Sequence, residues 1–319
     1  MTYGEKLPRR RLGRTELMVP AMSLGGVGVG GLGTQVEENE AIEAVQYAIE
    51  QDINYIDTSP LYAESERRIG LAIKGYPREK LILSTKTGTH PEHRQDYSWD
   101  GTMWSVENSL KLLGTDYIDL LLVHDPDDME PVFAPRGALE ALKSLKEQGV
   151  IKSIGLGQRR HDYHRRAIES GRFDAILTFA DYHPIHTTAA RELLPLAKKH
   201  DVGVLNGAVM MWGLLSGRDP DELIASGVVD RPAYEVDAAR QLYQFCQERD
   251  INMIGLVFQF CMRQAMIDCT LTGAKNIAQI DENFTAATTP LPDSIWDELD
   301  ALNLSAIWEV GEAAAKTDH

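Results

Sequence analysis

Asp57, Lys86 and His124 are the residues of this sequence whose types and positions suggest acid–base chemistry. Each stands where an apolar, strand-like run of the chain stops. Tyr62 lies shortly beyond Asp57, in a turn whose backbone Pro60 constrains. Singly, such residues are most often helix caps, solvated charges or structural histidines. Four of them on three neighbouring strand ends predict one catalytic cluster.

These four residue types fit the transfer of a hydride to or from a carbonyl carbon. Reducing a carbonyl leaves an alkoxide, which needs a proton from a positioned acid. Tyrosine is a weak acid near neutral pH, and an ammonium group on Lys86 is expected to lower the pKa of Tyr62. Asp57 would pair with Lys86 and limit the cost of burying its charge. His124 would donate a hydrogen bond to the substrate oxygen.

Catalytic residues from successive strand ends require parallel strands whose carboxyl ends meet. Apolar runs rich in Val, Ile and Leu alternate here with amphipathic helical stretches, as expected for parallel strands covered by helices. The strand predictions are Ala21–Leu24, Ile53–Asp57, Leu81–Thr85, Tyr117–Val123, Ile151–Leu156, Phe173–Phe179, Val202–Asn206 and Met266–Leu271. The helix predictions include Glu38–Gln51, Ser65–Lys74, Met103–Leu113, Gly137–Gln148, His161–Ser170 and Thr188–Lys199.

Eight strand–helix units in one series predict a closed (β/α)8 TIM barrel of the α/β class, as a single domain over residues 1–319. A short β-hairpin is predicted ahead of it, between Arg9 and Val19. Two regions depart from the repeat. The long stretch after Asn206, which contains residues 213–232, is predicted as a loop, and Ala238–Arg263 as two consecutive helices. For the tail Ile307–His319, a helix and disorder both stay open.

Composition limits the classes of function. The chain has 319 residues, 43% of them hydrophobic, and a formal net charge of −16, which argues against nucleic acid or an anionic membrane as partner. No apolar run approaches a membrane span, and none follows the basic N-terminal residues, so we expect neither a spanning helix nor a secretory signal. Cys246, Cys261 and Cys269 lack metal-site spacing and predict buried thiols of a cytoplasmic protein without a metal ion.

Gly28, Gly30 and Gly33 satisfy the G-x-G-x-x-G spacing of dinucleotide-binding folds, with Asp52 and Asp57 at roughly the distance of a ribose-binding acid. In that motif the glycines open a helix directly, whereas here several non-periodic residues intervene. A flexible loop after the first barrel strand explains the glycines equally well. We therefore favour the barrel over a doubly wound domain, with any dinucleotide bound by other means.

Four segments in order carry a family resemblance. They are Asp57-Thr58-Ser59-Pro60-Leu61-Tyr62, Ser65-Glu66 with Ile69-Gly70, Leu83-Ser84-Thr85-Lys86, and Leu121-Leu122-Val123-His124. They resemble motifs of the aldo-keto reductases, and the resemblance runs from about Arg11 to Asn283. It implies a (β/α)8 barrel whose bottom the hairpin closes. It also implies that the family's catalytic Asp, Tyr, Lys and His fall on Asp57, Tyr62, Lys86 and His124.

Finer features resemble one branch of that family, the aldose 1-dehydrogenase group. They are Asp57-Thr58-Ser59-Pro60, Tyr97-Ser98-Trp99-Asp100-Gly101 before a helix, and Val123-His124-Asp125-Pro126-Asp127. The group includes D-threo-aldose (L-fucose), L-galactose and D-arabinose dehydrogenases and pyridoxal 4-dehydrogenase. The resemblance implies oxidation of the anomeric carbon of a sugar to a lactone, with the hydride passed to a nicotinamide.

The resemblance also implies a nicotinamide cofactor, NAD or NADP. The expected cofactor-binding residues are Gly25, Gln158, Gly207, Leu214, Ser216, Gly273, Lys275, Gln279, Glu282 and Asn283. Many members hold the nicotinamide carboxamide with Ser-Asn where Gly157-Gln158 stands, and many stack a Tyr where Gly207-Ala208 stands. A helix beginning near Asn276 offers its N-terminus to phosphate. Lys275 could meet a 2′-phosphate, but Gln279 replaces an Arg of many NADP-preferring relatives, so NAD is slightly favoured.

The substrate, a small carbonyl compound or sugar, is expected above Tyr62 and His124. The candidate lining residues are Val27, His90, Tyr97, Asp125 and Trp212. They offer hydrogen-bonding groups and an aromatic surface, as a sugar site requires. Met210 and Met211 beside Trp212 would equally suit an apolar aldehyde, which leaves an NADPH-dependent aldehyde or ketone reductase open. A cofactor-binding regulatory subunit with slow turnover also stays open, because potassium-channel β subunits resemble this family. The sequence does not determine the oligomeric state.

Overall fold

Eight parallel strands close into a barrel. The computed structural model describes residues 7–33 and 35–317, with side chains to residue 313. The strands, in chain order, are β1 (Arg9–Arg11), β2 (Met18–Pro20), β3 (Met22–Gly25), β4 (Tyr55–Asp57), β5 (Ile82–Thr87), β6 (Thr89–His90), β7 (His93–Arg94), β8 (Ile118–His124), β9 (Ile151–Gly157), β10 (Ala175–Phe179), β11 (Gly203–Gly207) and β12 (Cys269–Gly273). The order around the barrel is β10-β11-β12-β3-β4-β5-β8-β9, with every neighbouring pair parallel. The predicted (β/α)8 barrel is confirmed.

Helices cover the outside of the barrel. In chain order they are α1 (Val27–Gly30), α2 (Glu38–Glu50), α3 (Ser65–Ala72), α4 (Trp99–Leu113), α5 (Glu130–Phe133), α6 (Ala138–Glu147), α7 (His161–Glu169), α8 (Leu193–Lys199), α9 (Pro220–Ala225), α10 (Ala233–Glu248), α11 (Met253–Arg263), α12 (Ile277–Thr288), α13 (Ser294–Ala301) and α14 (Leu304–Thr317). Their apolar faces pack on the outward side chains of the strands, as hydrophobic burial requires. Among the described residues, no helix is long and apolar enough to cross a membrane.

The hairpin of β1 and β2 closes the amino end of the barrel. Leu12 and Val19 are buried against the inward-facing side chains of the strands. Those side chains are Tyr55, Leu120, Leu122, Ala175, Leu177, Leu205, Cys269 and Leu271. Arg10 fastens the hairpin by donating a hydrogen bond to the carbonyl of Gln264, 3.1 Å away. With this end filled by side chains, a ligand can enter the barrel only from the carboxyl end.

Three predictions of local structure need correction or completion. Thr188–Lys199 is not one helix, because a 3-10 turn over Thr188–Ala190 precedes α8. The predicted loop over residues 213–232 contains α9, whose first residue is Pro220 and whose cap is Asp219. The two helices predicted within Ala238–Arg263 are confirmed as α10 and α11. Most of the tail is helical as α14, and its last two residues lie outside the described part of the chain.

Candidate active site

The carboxyl end of the barrel has two unlike halves. On the neighbouring strands β4, β5 and β8, the inward positions carry Asp57, Lys86 and His124. On the other five strands, the last residues are Gly157, Phe179, Gly207, Gly273 and Gly25. One half therefore presents charged and polar groups, and the other presents mostly bare backbone.

Lys86 and Asp57 form a buried ion pair. The Lys86 Nζ lies 2.7 Å from Oδ2 of Asp57, and the two side chains are 1% and 3% exposed. The ammonium also donates to the carbonyl of Thr58 at 2.7 Å. Ser84 donates to the other carboxylate oxygen of Asp57 at 2.6 Å, and its oxygen lies 3.0 Å from the Tyr55 hydroxyl. This network compensates both charges, as a buried pair requires.

The charge of Lys86 is maintained inside the barrel. Burial by itself lowers the pKa of this ammonium, but the charges and hydrogen bonds of Asp57 and Tyr62 outweigh burial. The net effect raises the pKa of Lys86 above its ordinary value. Lys86 is therefore a fixed cation at neutral pH.

Tyr62 lies against this cation. The Lys86 Nζ is 4.7 Å from the centre of the Tyr62 ring, and the ring meets that of His124 edge to face at 5.9 Å. Lys86 acts to lower the pKa of the phenol, as the sequence predicts, but burial outweighs it, and the pKa is raised overall. The expected net lowering of the Tyr62 pKa is therefore wrong. Tyr62 is a protonated acid at neutral pH until another positive charge approaches it.

His124 is a neutral side chain oriented by hydroxyl groups. Burial, followed by the nearby charge of Lys86, lowers the pKa of His124 well below its ordinary value. The Nδ1 atom lies 2.6 Å from the Thr89 hydroxyl and 3.2 Å from the Ser59 hydroxyl. When a hydroxyl donates to Nδ1, the proton of the neutral ring resides on Nε2. His124 can then donate a hydrogen bond from Nε2 to a ligand oxygen.

The glycine residues at the carboxyl end of the barrel show whether a nicotinamide ring would fit there. A Cβ added at Gly273 would meet no atom of the described residues within 4 Å, and one at Gly157 would lie 3.7 Å from the His124 side chain. A Cβ at Gly207 would lie 3.4 Å from Cβ of Phe179. These glycines form a floor beside the polar half. It is open at Gly273, whereas Gly157 and Gly207 are buried, and Phe179 is its large apolar side chain. A flat ring fits such a floor, so the residues present suit the cofactor.

Gln158, predicted to hold the carboxamide, is buried and already bonded within the protein. Its Nε2 donates to the carbonyl of Pro126 at 3.0 Å, and its Oε1 accepts from the backbone N–H groups of Arg159 and Arg160. The amide retains one hydrogen for a ligand. The structure therefore gives Gln158 a role in holding together the loops that follow β8 and β9.

The segment predicted for the adenosine half forms the start of α12. Asn276 caps this helix by accepting from the N–H of Gln279, and Gln279 accepts from the N–H of Lys275 at 3.0 Å. This is a variant of the capping box in which the Gln279 side chain reaches the residue before the cap, so that side chain serves the start of the helix. Asn283 is buried and donates to Thr272 at 2.9 Å. Glu282 is exposed.

Two further residues predicted at the cofactor site lie in the loop after β11. Leu214 is buried and Ser216 is partly exposed. Between them and the strand, Ala208, Met211 and Trp212 have left-handed backbones, with φ of 52°, 49° and 53°. Three non-glycine residues in this region make a sharply turned loop at the edge of the bare floor.

The glycine-rich segment after β3 is explained by packing. Gly28 and Gly30 lie in the short helix α1, where a Cβ would come within 2.3 Å of the Ala274 carbonyl oxygen and 2.1 Å of the Tyr62 carbonyl oxygen. Only glycine allows these approaches. The helix is thus inserted between the start of α12 and the loop that carries Tyr62, and the dinucleotide-fold interpretation of this spacing is not needed.

The five residues predicted to line the substrate pocket have different surroundings in the structure. Tyr97 is buried and donates to the backbone carbonyl of His124 at 2.6 Å, so it supports the strand end. His90 packs edge to face on Trp104, with ring centres 4.6 Å apart. Asp125 lies beside His124, with Oδ2 3.5 Å from Nε2.

The other two candidates expose apolar surface. Val27 begins α1 and is 41% exposed. Trp212 is 56% exposed, and the guanidinium of Arg231 lies 4.6 Å from its ring centre. Both side chains are accessible to a ligand from solvent.

Sequence reasoning missed several residues of the site. Ser84 lies two positions before Lys86 on the same strand face, so strand periodicity could have identified it. Phe179 ends a predicted strand, and inspection of strand ends could have found it as it found Asp57. Thr89 carried no such signal, because the chain turns at Gly88, with φ of 96°, before Thr89 meets His124.

Comparisons with known proteins agree with this geometry. Residues 21–304 match the sequence profile of the Aldo/keto reductase family. A D-threo-aldose 1-dehydrogenase from a Pseudomonas species is 28% identical over 308 residues, covering 89% of this chain and 94% of that protein. The L-galactose dehydrogenase of Arabidopsis thaliana is 29% identical over 292 residues, covering 89% of each. The structure of a Bacillus halodurans aldo-keto reductase in its holo form superimposes with a TM-score of 0.77 at 25% identity, covering 93% of this chain and 96% of that one.

Proposed function

Because this chain belongs to the aldo/keto reductase family, whose enzymes are oxidoreductases that use nicotinamide cofactors, we propose that it oxidises an aldose at C1 to the lactone. One observation carries the proposal. The buried Lys86–Asp57 pair lies against Tyr62, beside a neutral His124 and next to the glycine floor. Similarity to an aldose 1-dehydrogenase and an L-galactose dehydrogenase supports a sugar as the substrate.

The oxidation removes a hydride from C1 and a proton from the anomeric hydroxyl. When bound, the oxidised nicotinamide supplies the hydride acceptor and a positive charge. Tyr62 takes the proton, and Lys86 stabilises the phenolate that this role requires. His124 donates from Nε2 to the reacting oxygen and orients it. Asp57 holds Lys86 in place through the 2.7 Å contact.

The bare glycines would hold the nicotinamide, and the start of α12 would hold the adenosine half. Lys275 is the cation of that segment, and Gln279 is engaged in the capping box. A 2′-phosphate would thus find one flexible ammonium and no bidentate guanidinium within this segment. We therefore propose NAD as the preferred cofactor.

The protonated phenol of Tyr62, beside the hydrogen-bond donor His124, supports a second candidate, reduction of an aldehyde or ketone. A protonated phenol is the proton donor that the reductive direction needs. The same four residues serve both directions, because the reaction is reversible. Substrate preference therefore distinguishes the two candidates, and the arrangement of the four residues does not.

The deciding experiment follows nicotinamide absorbance while purified protein is mixed with NAD or, separately, NADP across a panel of aldoses. We expect turnover with one class of sugar, and a loss of about 100- to 10,000-fold in Tyr62→Phe, because general acid–base catalysis typically contributes that much. Fluorescence titration should show unchanged cofactor affinity in this variant. Activity only with aldehydes and NADPH would move the enzyme to the reductase side. Tight cofactor retention with negligible turnover would favour a regulatory subunit.

A further inference from the structure

We propose that Asp125 selects substrates that carry a hydroxyl group on the carbon next to the reacting carbon. This inference rests on the proposed function of the same pocket and names the substrate feature that the pocket recognises. Asp125 follows His124 at the end of β8, and its Oδ2 lies 3.5 Å from Nε2 of His124. It therefore stands beside the nitrogen to which the reacting oxygen is assigned.

The Asp125 carboxylate has acceptor capacity that the protein does not use. Its Oδ1 is buried and has no hydrogen-bond partner among residues 7–33 and 35–317. The side chain as a whole is 39% exposed, so a ligand can reach the other oxygen, Oδ2, from solvent. His124 is neutral and cannot neutralise the carboxylate. Because Oδ1 is desolvated and has no donor, the carboxylate charge is poorly compensated, and a ligand hydroxyl that donates to Oδ2 would improve that compensation.

The position of Asp125 is held by its backbone. Its φ of 40° places it in the left-handed region, which an L residue adopts at a cost. Its N–H donates to the carbonyl of Gly157 at 2.8 Å, and its carbonyl accepts from the Gln95 amide at 3.0 Å. Such strain persists where surrounding bonds impose it, commonly at functional sites. The backbone that carries the carboxylate is therefore fixed beside the end of β8.

The chemistry of the reacting oxygen excludes it as the donor to Asp125. A carbonyl oxygen has no proton, and an anomeric hydroxyl gives its proton to Tyr62. The nearest other donor on a sugar is the hydroxyl on the adjacent carbon. Oxygens on adjacent carbons are separated by about a hydrogen-bond length. His124 Nε2 and Asp125 Oδ2, 3.5 Å apart, can therefore bind two neighbouring oxygens of one substrate.

A substrate without that hydroxyl would leave the carboxylate desolvated and unpaired. Sites built around a buried polar group reject ligands that lack its partner more strongly than apolar pockets reject a missing methylene. Asp125 is thus the residue by which the pocket would distinguish hydroxylated substrates from plain aldehydes.

The test compares kcat/KM for an aldose and its 2-deoxy analogue in the wild-type protein and in Asp125→Asn. We expect the wild type to prefer the aldose by roughly 10- to 100-fold, since hydrogen bonds to charged groups have this strength. Asp125→Asn should reduce the preference to within about 3-fold, mainly by slowing the aldose. Asp127→Asn, an exposed carboxylate two positions along, is the matched control and should keep the wild-type preference.

A pH series separates recognition by the carboxylate from a structural effect. Burial raises the pKa of Asp125 to about 6, although Lys86 acts in the opposite direction and Asp127 adds to the rise. The other titratable groups that face it are His124, Tyr62 and Tyr97. Their titration affects both substrates, so it cancels in the ratio of kcat/KM values. The wild-type preference should fall as pH falls through about 6, whereas that of Asp125→Asn should not change with pH.

If Asp125→Asn keeps the wild-type preference for the aldose, the inference about Asp125 is overturned. The proposed function would still stand in that case, provided that aldose turnover is lost in Tyr62→Phe. If no aldose reacts, the proposed function fails, and the same comparison is made with a 2-hydroxyaldehyde and its deoxy aldehyde in the reductive direction. A preference there that depends on Asp125 would support the inference alone. Equal rates for the two aldehydes would overturn it as well.

Discussion

Replacing Asp57 with asparagine should destabilise the protein by about 3–5 kcal/mol, because it leaves the buried Lys86 ammonium without a counter-charge. The ammonium is 1% exposed and lies 2.7 Å from the carboxylate oxygen that the substitution neutralises. The carbonyl of Thr58, also at 2.7 Å, would remain as its main acceptor. One neutral oxygen does not balance a buried charge, so the folded state loses most of the compensation.

An exposed ion pair of the same protein serves as a reference for this loss of stability. Lys143 and Glu147 lie 3.8 Å apart on α6, with side chains 75% and 67% exposed. Solvent screens this pair, and Glu147→Gln should change stability by less than about 0.5 kcal/mol. The same carboxyl-to-amide change at Asp57 should therefore have an effect several times larger. The difference isolates burial as the cause.

Urea unfolding followed by tryptophan fluorescence measures both variants, and a double substitution completes the test. Asp57→Asn combined with Lys86→Met removes both charges and should recover most of the stability lost in Asp57→Asn. It should not recover activity, because the cation beside Tyr62 is gone. If Asp57→Asn were no more destabilising than Glu147→Gln, the reasoning about the buried pair would be refuted.

Three further outcomes follow from the site and the core. Thr89→Val removes the 2.6 Å contact with Nδ1 of His124, so kcat should fall roughly 10-fold while cofactor affinity stays unchanged. Steady-state kinetics and fluorescence titration measure the two quantities, and an unchanged kcat would contradict the prediction. Gly207→Val adds a branched side chain where a Cβ would already lie 3.4 Å from Cβ of Phe179, so the cofactor Kd, measured by fluorescence titration, should rise at least about 10-fold. Burial lowers the pKa of His183 to about 3 and that of His164 to about 4. Below about pH 6.5, and down to these values, both histidines are protonated in the unfolded chain but stay neutral in the folded protein. Stability in urea should therefore fall with pH below about 6.5, by about 1.4 kcal/mol per pH unit for each of the two, and His183→Phe should reduce the slope.

Much of the fold was predictable because its signals are local. Apolar runs of Val, Ile and Leu mark strands that are buried on both sides, and all eight were located within a few residues. The failures have local causes as well. The helix α9 is short and lies in a polar, glycine-containing stretch, where its Asp219 cap and Pro220 are the signals that could have identified it.

The site residues that lie at the ends of strands were predictable from the sequence. Asp57, Lys86 and His124 end neighbouring strands, and parallel strands bring their carboxyl ends together. The supporting residues were less accessible to sequence reasoning. Thr89 reaches His124 only because the chain reverses at Gly88, and Gln279 looked free for a cofactor although it closes a capping box.

The sequence by itself determined the barrel, the order of its strands and the identity of the charged residues at its carboxyl end, because these depend on local periodicity and on position along a strand. The tertiary structure alone decided how those residues behave. Burial reverses the expected shift in the pKa of Tyr62, and a hydroxyl from a distant turn orients His124. Close backbone contacts explain Gly28 and Gly30. Desolvation and contact depend on atoms far apart in the chain, and their effects exist only after folding has brought those atoms together.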